Sequence, residues 1–152
     1  MEVREAQLGD LADVRRLLVE YANALPFALD FQDFDDELAT LPGRYAPPGG
    51  RLLVGSIDGQ VVGCVGVRRF DDQTCEMKRL FVSADARGSG LGRVLAETSI
   101  AAARGLGYRR MRLDTVPGME TAQALYARLG FVEIEPYTVN PVSGARFLEL
   151  QL

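Results

Sequence analysis

The sequence predicts an α/β fold with a mixed, mostly antiparallel central sheet, one parallel strand–helix–strand crossover and flanking helices. Three observations carry this. Residues 52–57 and 61–67 are two β-rich runs with Asp58-Gly59 at the turn between them, which reads as a hairpin. A third run, 76–82, follows the turn Asp71-Asp72-Gln73, so three strands lie in meander order. A helical pattern then opens near residue 90 and leads to a strand at 110–114, the order of a parallel crossover.

The remaining elements follow from periodicity and turn chemistry. The 152 residues suit one domain, 1–152, with no repeat or linker. Residues 2–6 read as a short strand. Leu8, Leu11, Val14, Leu17, Leu18 and Tyr21 then recur at helical spacing, with Asp10 as the expected N-cap and Asp13 three residues on. Between 27 and 37, Phe27, Leu29, Phe31 and Phe34 are mixed with Asp30, Asp33, Asp35, Asp36 and Glu37. This predicts an irregular segment and a short helix near 32–41, and Pro47-Pro48-Gly49-Gly50 is a loop. The helix from about 90 to 105 shows the stripe Leu91, Leu95, Thr98 and Ala102, and Gly105 and Gly107 end it. Met111 and Leu113 share one face of the next strand. Ala122, Leu125, Tyr126 and Leu129 mark a helix over 119–129 with Gly130 as its C′ glycine. Residues 131–135 and 145–152 read as a closing strand pair.

Composition narrows the function. Hydrophobic content is 47% and charged content 25%, ordinary for a globular chain. No run approaches the roughly 18 apolar residues of a membrane helix. The acidic opening MEVREAQLGD lacks the order of a signal peptide, so a cytoplasmic protein without a membrane partner is expected. A formal charge of −4 gives no global basic footprint, so nucleic acid is not an expected partner. Cys64 and Cys75 form no CxxC and lie in strand-like runs, as buried thiols do. The sequence contains no histidine, which excludes imidazole catalysis and His-ligated metals; no metal site is expected. A general base must be Glu, Asp, Tyr or a water chain.

Residues 87–95 read RGSGLGRVL. A loop that leaves a strand and opens a helix presents unpaired N–H groups and a positive helix end, which suits phosphate. A tight turn with no ligand is the alternative. The stretch is not a Walker A loop, since Arg93-Val94 follows Gly92 where Lys-Ser/Thr is needed. It is not a dinucleotide fingerprint either: Arg93 or Leu95 stands where the third glycine or alanine belongs. What remains is Arg87-x-x-Gly90-x-Gly92. It resembles the acyl-CoA-binding motif of the GNAT family of N-acetyltransferases. The preceding strand, Cys75 to Val82 in CEMKRLFV, looks like that family's fourth strand. Ala122-x-x-Leu125-Tyr126-x-x-Leu129-Gly130-Phe131 looks like its second cofactor motif, and the resemblance spans the chain. One departure stands out: Met119 occupies the position where many members carry an asparagine that touches the pantetheine arm.

The resemblance implies a GNAT-like fold and an N-acetyltransferase that moves an acetyl group from acetyl-CoA to a primary amine by direct transfer. It implies that amides between about Gly88 and Arg93, those of Gly88, Ser89, Gly90, Leu91, Gly92 and Arg93, hold the pyrophosphate, with Arg87 and Arg93 adding charge or simply facing solvent. It lays the pantetheine arm along Leu80, Phe81 and Val82, whose side chains read as core. Tyr126 donates to the departing thiolate, or is a core aromatic. Glu76 is the general base, or forms a cross-strand salt bridge, and Asp114 is the second candidate. A Cys64 or Cys75 acyl-enzyme lacks an activating neighbour in sequence. The acidic 27–37 segment attracts a cationic amine or merely faces water, and Tyr137, Asn140 and Arg146 are further pocket candidates. The acceptor, a small molecule or a peptide, is not readable, and a homodimer is common in the family. The rival reading is an acyl-CoA-binding module without turnover.

Overall fold

The computed structural model describes residues 1–29 and 33–152. Among these residues seven strands form one sheet: β1 (Glu2–Glu5), β2 (Arg51–Ile57), β3 (Gln60–Arg69), β4 (Thr74–Val82), β5 (Arg110–Thr115), β6 (Val132–Ile134) and β7 (Arg146–Gln151). Their spatial order is β1-β2-β3-β4-β5-β7-β6. All pairings are antiparallel except β4 with β5. The hairpin turn lies at Asp58 and Gly59, both with positive φ, as its tight geometry demands. The predicted mixed sheet and its crossover are therefore the observed ones, and the closing strands do pair, with β7 between β5 and β6.

Among the described residues, four α-helices cover the sheet: α1 (Leu11–Ala24), α2 (Phe34–Thr40), α3 (Leu91–Gly105) and α4 (Glu120–Leu129). Val14, Leu17 and Leu18 of α1 and Phe34 of α2 pack with Leu52, Val54, Cys64 and Phe81. Leu91, Leu95, Ile100, Leu125 and Tyr126 of α3 and α4 pack on the opposite face with Val65, Val67, Cys75, Met77, Met111 and Leu113. Gly63 lets α3 sit close: a Cβ there would lie 2.9 Å from a Leu95 methyl and 3.1 Å from the Phe81 carbonyl oxygen. No helix among the described residues is long and apolar enough to cross a membrane.

Three local expectations need correction. Asp10 does not cap α1. It ends a 3₁₀ turn in helical backbone, and its carboxylate accepts instead from both guanidinium arms of Arg4 (2.7 and 3.0 Å) and from the Gln7 amide (2.8 Å). A charged partner across the β1–α1 turn outcompetes a cap. The buried stripe of α3 is Leu91, Leu95, Ala96, Ser99, Ile100 and Ala103; Thr98 and Ala102 sit half-buried beside it. The predicted helix near 32–41 is α2, but Asp30, Phe31 and Gln32 lie outside the described residues.

Candidate active site

The site begins where β4 and β5 part. They pair only through Thr74–Arg110, Cys75–Met111 and Glu76–Arg112, whereas β5 stays paired to β7 as far as Thr115. Beyond Glu76, β4 carries a bulge: its register against β3 slips between Lys78–Gly66 and Phe81–Cys64, and Arg79 has φ +60°. A bulge bends its strand and increases the local twist, which draws β4 away from β5. The edge of β4 from Met77 to Val82 that faces β5 is thus without a strand partner, in the middle of the sheet.

The left-handed Arg79 is a strained position for a side-chain-bearing residue, and its surroundings hold it there. The guanidinium is buried and donates to both oxygens of Glu37 at 2.9 and 3.0 Å. It also lies 5.2 Å from the Phe34 ring centre and 5.8 Å from that of Tyr21. Tyr45 adds a hydroxyl bond to Glu37 (3.0 Å). Burial alone would raise the Glu37 carboxyl; the bond and charge of Arg79 outweigh it and hold it below its ordinary value. Glu37 of the acidic segment therefore turns inward, while Asp35 and Asp36 face solvent.

A cleft fills the gap between β4 and β5 and is lined from both faces of the sheet. Tyr126 and Ala122 come from α4, Tyr21 from α1, Phe27 and Leu29 from the segment after it, and Asn140 from the β6–β7 connection; Lys78 and Asp114 form its polar wall. Lys78 Nζ stands 3.2 Å from one Asp114 oxygen, and the Asn140 carboxamide donates to the other at 3.0 Å. Both charges are buried, at 8% and 5% side-chain exposure. Burial lowers the Lys78 ammonium despite the opposing pull of Asp114. Burial would raise Asp114, but the charge of Lys78 and the bonds from Asn140 and Lys78 leave it below the ordinary carboxylate value.

Tyr126 is buried in the same cleft and packs on Phe131 with ring centres 5.6 Å apart. Its hydroxyl has no hydrogen-bond partner among the described residues, and burial pushes its ionisation upward. The phenol stays protonated at any ordinary pH. A buried, unpartnered hydroxyl is costly unless something else meets it.

Glu76 lies elsewhere. Its side chain is only 4% exposed; it accepts from Arg68 on the neighbouring strand at 3.0 Å and from the Tyr137 hydroxyl at 2.9 Å. It does not line the cleft. Glu76 thus makes the cross-strand salt bridge, which was one of its two readings. Tyr137 belongs to this neighbouring group, stacking edge-on with Phe70 and Phe147 and facing Arg112. Arg146 is farther out, bonded to Gln123 and Glu133.

The glycine stretch lies at the other end of the open β4 edge. Glu20 of α1 accepts from the Ser83 hydroxyl (3.0 Å) and the Ala84 amide (3.1 Å), fixing the turn that leaves β4. The amides of Gly88, Ser89, Gly90, Gly92 and Arg93 have no acceptor among the described residues; that of Leu91 reaches the Ser89 hydroxyl at 3.3 Å. Gly88 and Gly90 have φ +81° and +87°, and nothing lies within 4 Å of where a Cβ would be. The loop is therefore shaped by backbone conformation, with open space for a ligand over it. Arg87 donates to the Val82 carbonyl (3.3 Å) with its guanidinium 5.7 Å from the Phe81 ring, and Arg93 pairs with Glu97 at 2.6 Å. Leu80 lines the cleft, Phe81 is core and Val82 is half-buried beside Gly92.

Met119 also lines the cleft, and its sulfur lies 3.8 Å from the Thr115 hydroxyl. The carboxamide one turn later, Gln123, is committed to the Val116 carbonyl (3.0 Å). Lys78, Tyr21 and Arg79 were not singled out from the sequence. The alternation of Glu76 and Lys78 with Cys75 and Met77 in a central strand is the signal that one sheet face there is polar.

Neither cysteine reaches the cleft. Both are buried, and burial pushes each thiol up to about 12, far from the low values of nucleophilic thiols.

An uncharacterized N-acetyltransferase of Schizosaccharomyces pombe is 39% identical over 145 residues, covering 94% of this chain and 89% of the relative. Among solved structures, a GNAT-family acetyltransferase from Staphylococcus aureus aligns with a TM-score of 0.82 at 21% identity, over 99% of this chain and 98% of that one. A GNAT-superfamily phosphinothricin acetyltransferase from Sinorhizobium meliloti, in complex with acetyl-CoA, aligns with a TM-score of 0.73 at 19% identity, over 99% and 88%. These two alignments establish the shared fold. The acetyltransferase (GNAT) family matches residues 12–131, and the chain belongs to that family.

Proposed function

We propose that the protein transfers an acetyl group from acetyl-CoA to a primary amine in one step, with both substrates bound together. One observation carries the reading: the amides of Gly88, Ser89, Gly90, Gly92 and Arg93, acceptor-free among the described residues, stand at one end of an unpaired strand edge whose cleft is also lined by the buried Tyr126. The donor shape this fits has an anion at one end, a strand-like arm and a reactive group at the other, as acetyl-CoA has. When bound, acetyl-CoA supplies a thioester carbonyl open to attack by an amine.

The chain's residues then have distinct tasks. The amides of 88–93 and the positive end of α3 hold the pyrophosphate. The open edge at Leu80–Val82 pairs with the amide groups of the arm. Tyr126 donates a hydrogen bond from its hydroxyl to the sulfur as the C–S bond breaks and the thiolate leaves, and burial keeps that hydroxyl protonated. The amine nitrogen gives up a proton as it bonds to carbon. Asp114 is the carboxylate in the cleft and takes the base role, with Lys78 and Asn140 orienting it. Glu76 ranks behind it, since both of its oxygens are engaged outside the cleft. A covalent enzyme intermediate is disfavoured by the position and protonation of both thiols.

The test is release of free thiol from acetyl-CoA in the presence of an amine panel. The reading predicts thiol release that depends on the amine. Tight CoA binding with no thiol release across the panel would establish the rival, a non-catalytic acyl-CoA sensor. Comparing Asp114→Asn with Glu76→Gln assigns the base: the acidic limb of the pH–rate profile disappears only in the variant that removes it.

A further inference from the structure

We propose that the acceptor is a free α-amino acid with an apolar side chain, whose carboxylate is held by Lys78 and whose amine is held beside Asp114. This inference rests on the acetyl-transfer reading above and names the substrate class of that site.

The argument starts from charge. Among the described residues, three ionisable side chains with formal charge line the cleft: Lys78, Arg79 and Asp114. Arg79 is answered by Glu37, outside the cleft, whose carboxylate accepts two bonds from it. What remains is one cation and one anion, side by side and buried. Each has unused bonding capacity. An ammonium has three donors, and Lys78 spends one on Asp114 among the described residues. A carboxylate has about four acceptor positions, and Asp114 receives Lys78 and Asn140. An α-amino acid carries a carboxylate and an amine on a single carbon, so it can meet such a pair with opposite charges aligned. A polyamine would instead set a second cation against Lys78 and Arg79. An amine without a carboxylate would leave the spare Lys78 donors without an anionic partner, which costs affinity. On the α1 side the cleft is lined by the rings of Tyr21 and Phe27 and by Leu29, which take the side chain.

Three acceptors differ only at the carboxylate: L-leucine, L-leucinamide and isopentylamine. Steady-state kinetics of the wild-type protein with acetyl-CoA compare them directly. Loss of one charge-assisted bond predicts that kcat/KM for leucine exceeds that for leucinamide by about 10- to 100-fold, chiefly through KM. This holds although the amide's amine is the more easily deprotonated. In Lys78→Gln the leucine-to-leucinamide ratio falls towards one. Because Lys78→Gln also leaves Asp114 without its buried partner, the wild-type comparison stands as the decisive arm if that variant does not fold. Calorimetric titration of leucine and leucinamide into the CoA-loaded protein gives a readout independent of turnover, and leucine alone is expected to bind. Turnover with equal efficiency for all three acceptors overturns the carboxylate site while leaving acetyl transfer intact. Selective leucine binding without thiol release keeps the site and overturns the transferase reading. Absence of both selective turnover and selective binding overturns the proposal.

Discussion

Removing the Tyr126 hydroxyl separates chemistry from folding better than any other single change in this molecule. The ring of Tyr126 is buried against Phe131, and Tyr126→Phe keeps that packing. The hydroxyl makes no bond to the described residues, so its loss costs no protein hydrogen bond and relieves the burial of an unpaired polar group. Stability should change by no more than about 0.5 kcal/mol, and Tm by no more than about 2 °C. CoA affinity should stay as it is, because the amides proposed to hold the pyrophosphate stand at the other end of the open β4 edge. The rate should not survive. A donor aimed at developing charge in a dry site contributes about 3 kcal/mol, so kcat should fall roughly 100-fold or more. The assay is thiol release under saturating acetyl-CoA, paired with thermal unfolding and a CoA titration. Full kcat in Tyr126→Phe refutes the assignment. So does a fall in Tm of more than about 5 °C, which would show the hydroxyl to be structural.

Three further outcomes follow. Gly90→Ala forces a Cβ onto a residue with φ +87° and should weaken CoA binding by at least about tenfold, at a cost of about 1–2 kcal/mol in stability; Gly105→Ala, where φ is not positive, is the control for both measurements. Glu37→Leu leaves the Arg79 guanidinium buried and unpaired, so denaturant unfolding should show a loss of about 3–5 kcal/mol, largely recovered when Arg79→Met is added. Glu37 and Asp114 both titrate below their ordinary values of 4.5 and 3.8 in the fold. Their contribution is therefore complete above those values and is lost as pH falls through the depressed ones, so the acid limb of stability, followed by Tm against pH, should be shallower in Glu37→Gln.

The parts of the fold legible in the sequence are those fixed by neighbours along the chain. The Asp58-Gly59 hairpin, the glycine opening of α3 and the Gly130 end of α4 each rest on local backbone demands. The motifs around Gly90 and Tyr126 lie within such elements, and the resemblance they support agrees with the family found. Long-range pairing was not legible. Arg79 meets Glu37 across 42 residues and Tyr137 meets Glu76 across 61, and neither pair has a periodic or compositional trace. Asp10 misled for the same reason: its charged partner Arg4 sits on another element. The cleft itself depends on where β4–β5 pairing stops, which a strand-like run of residues does not encode. Glu76 and Lys78 look equivalent in the strand, two residues apart on one face. The bulge at Arg79 and the separation of β5 give Lys78 the cleft and leave Glu76 beside Arg68.

Mass spectrometry after a single turnover with isotope-labelled acetyl-CoA follows the acetyl group itself. The structure predicts that the label appears on the nitrogen of the acceptor amine, in step with free CoA, and that the protein's mass never changes. A labelled protein, or thiol released without an N-acetylated product, would contradict direct transfer through the cleft between β4 and β5.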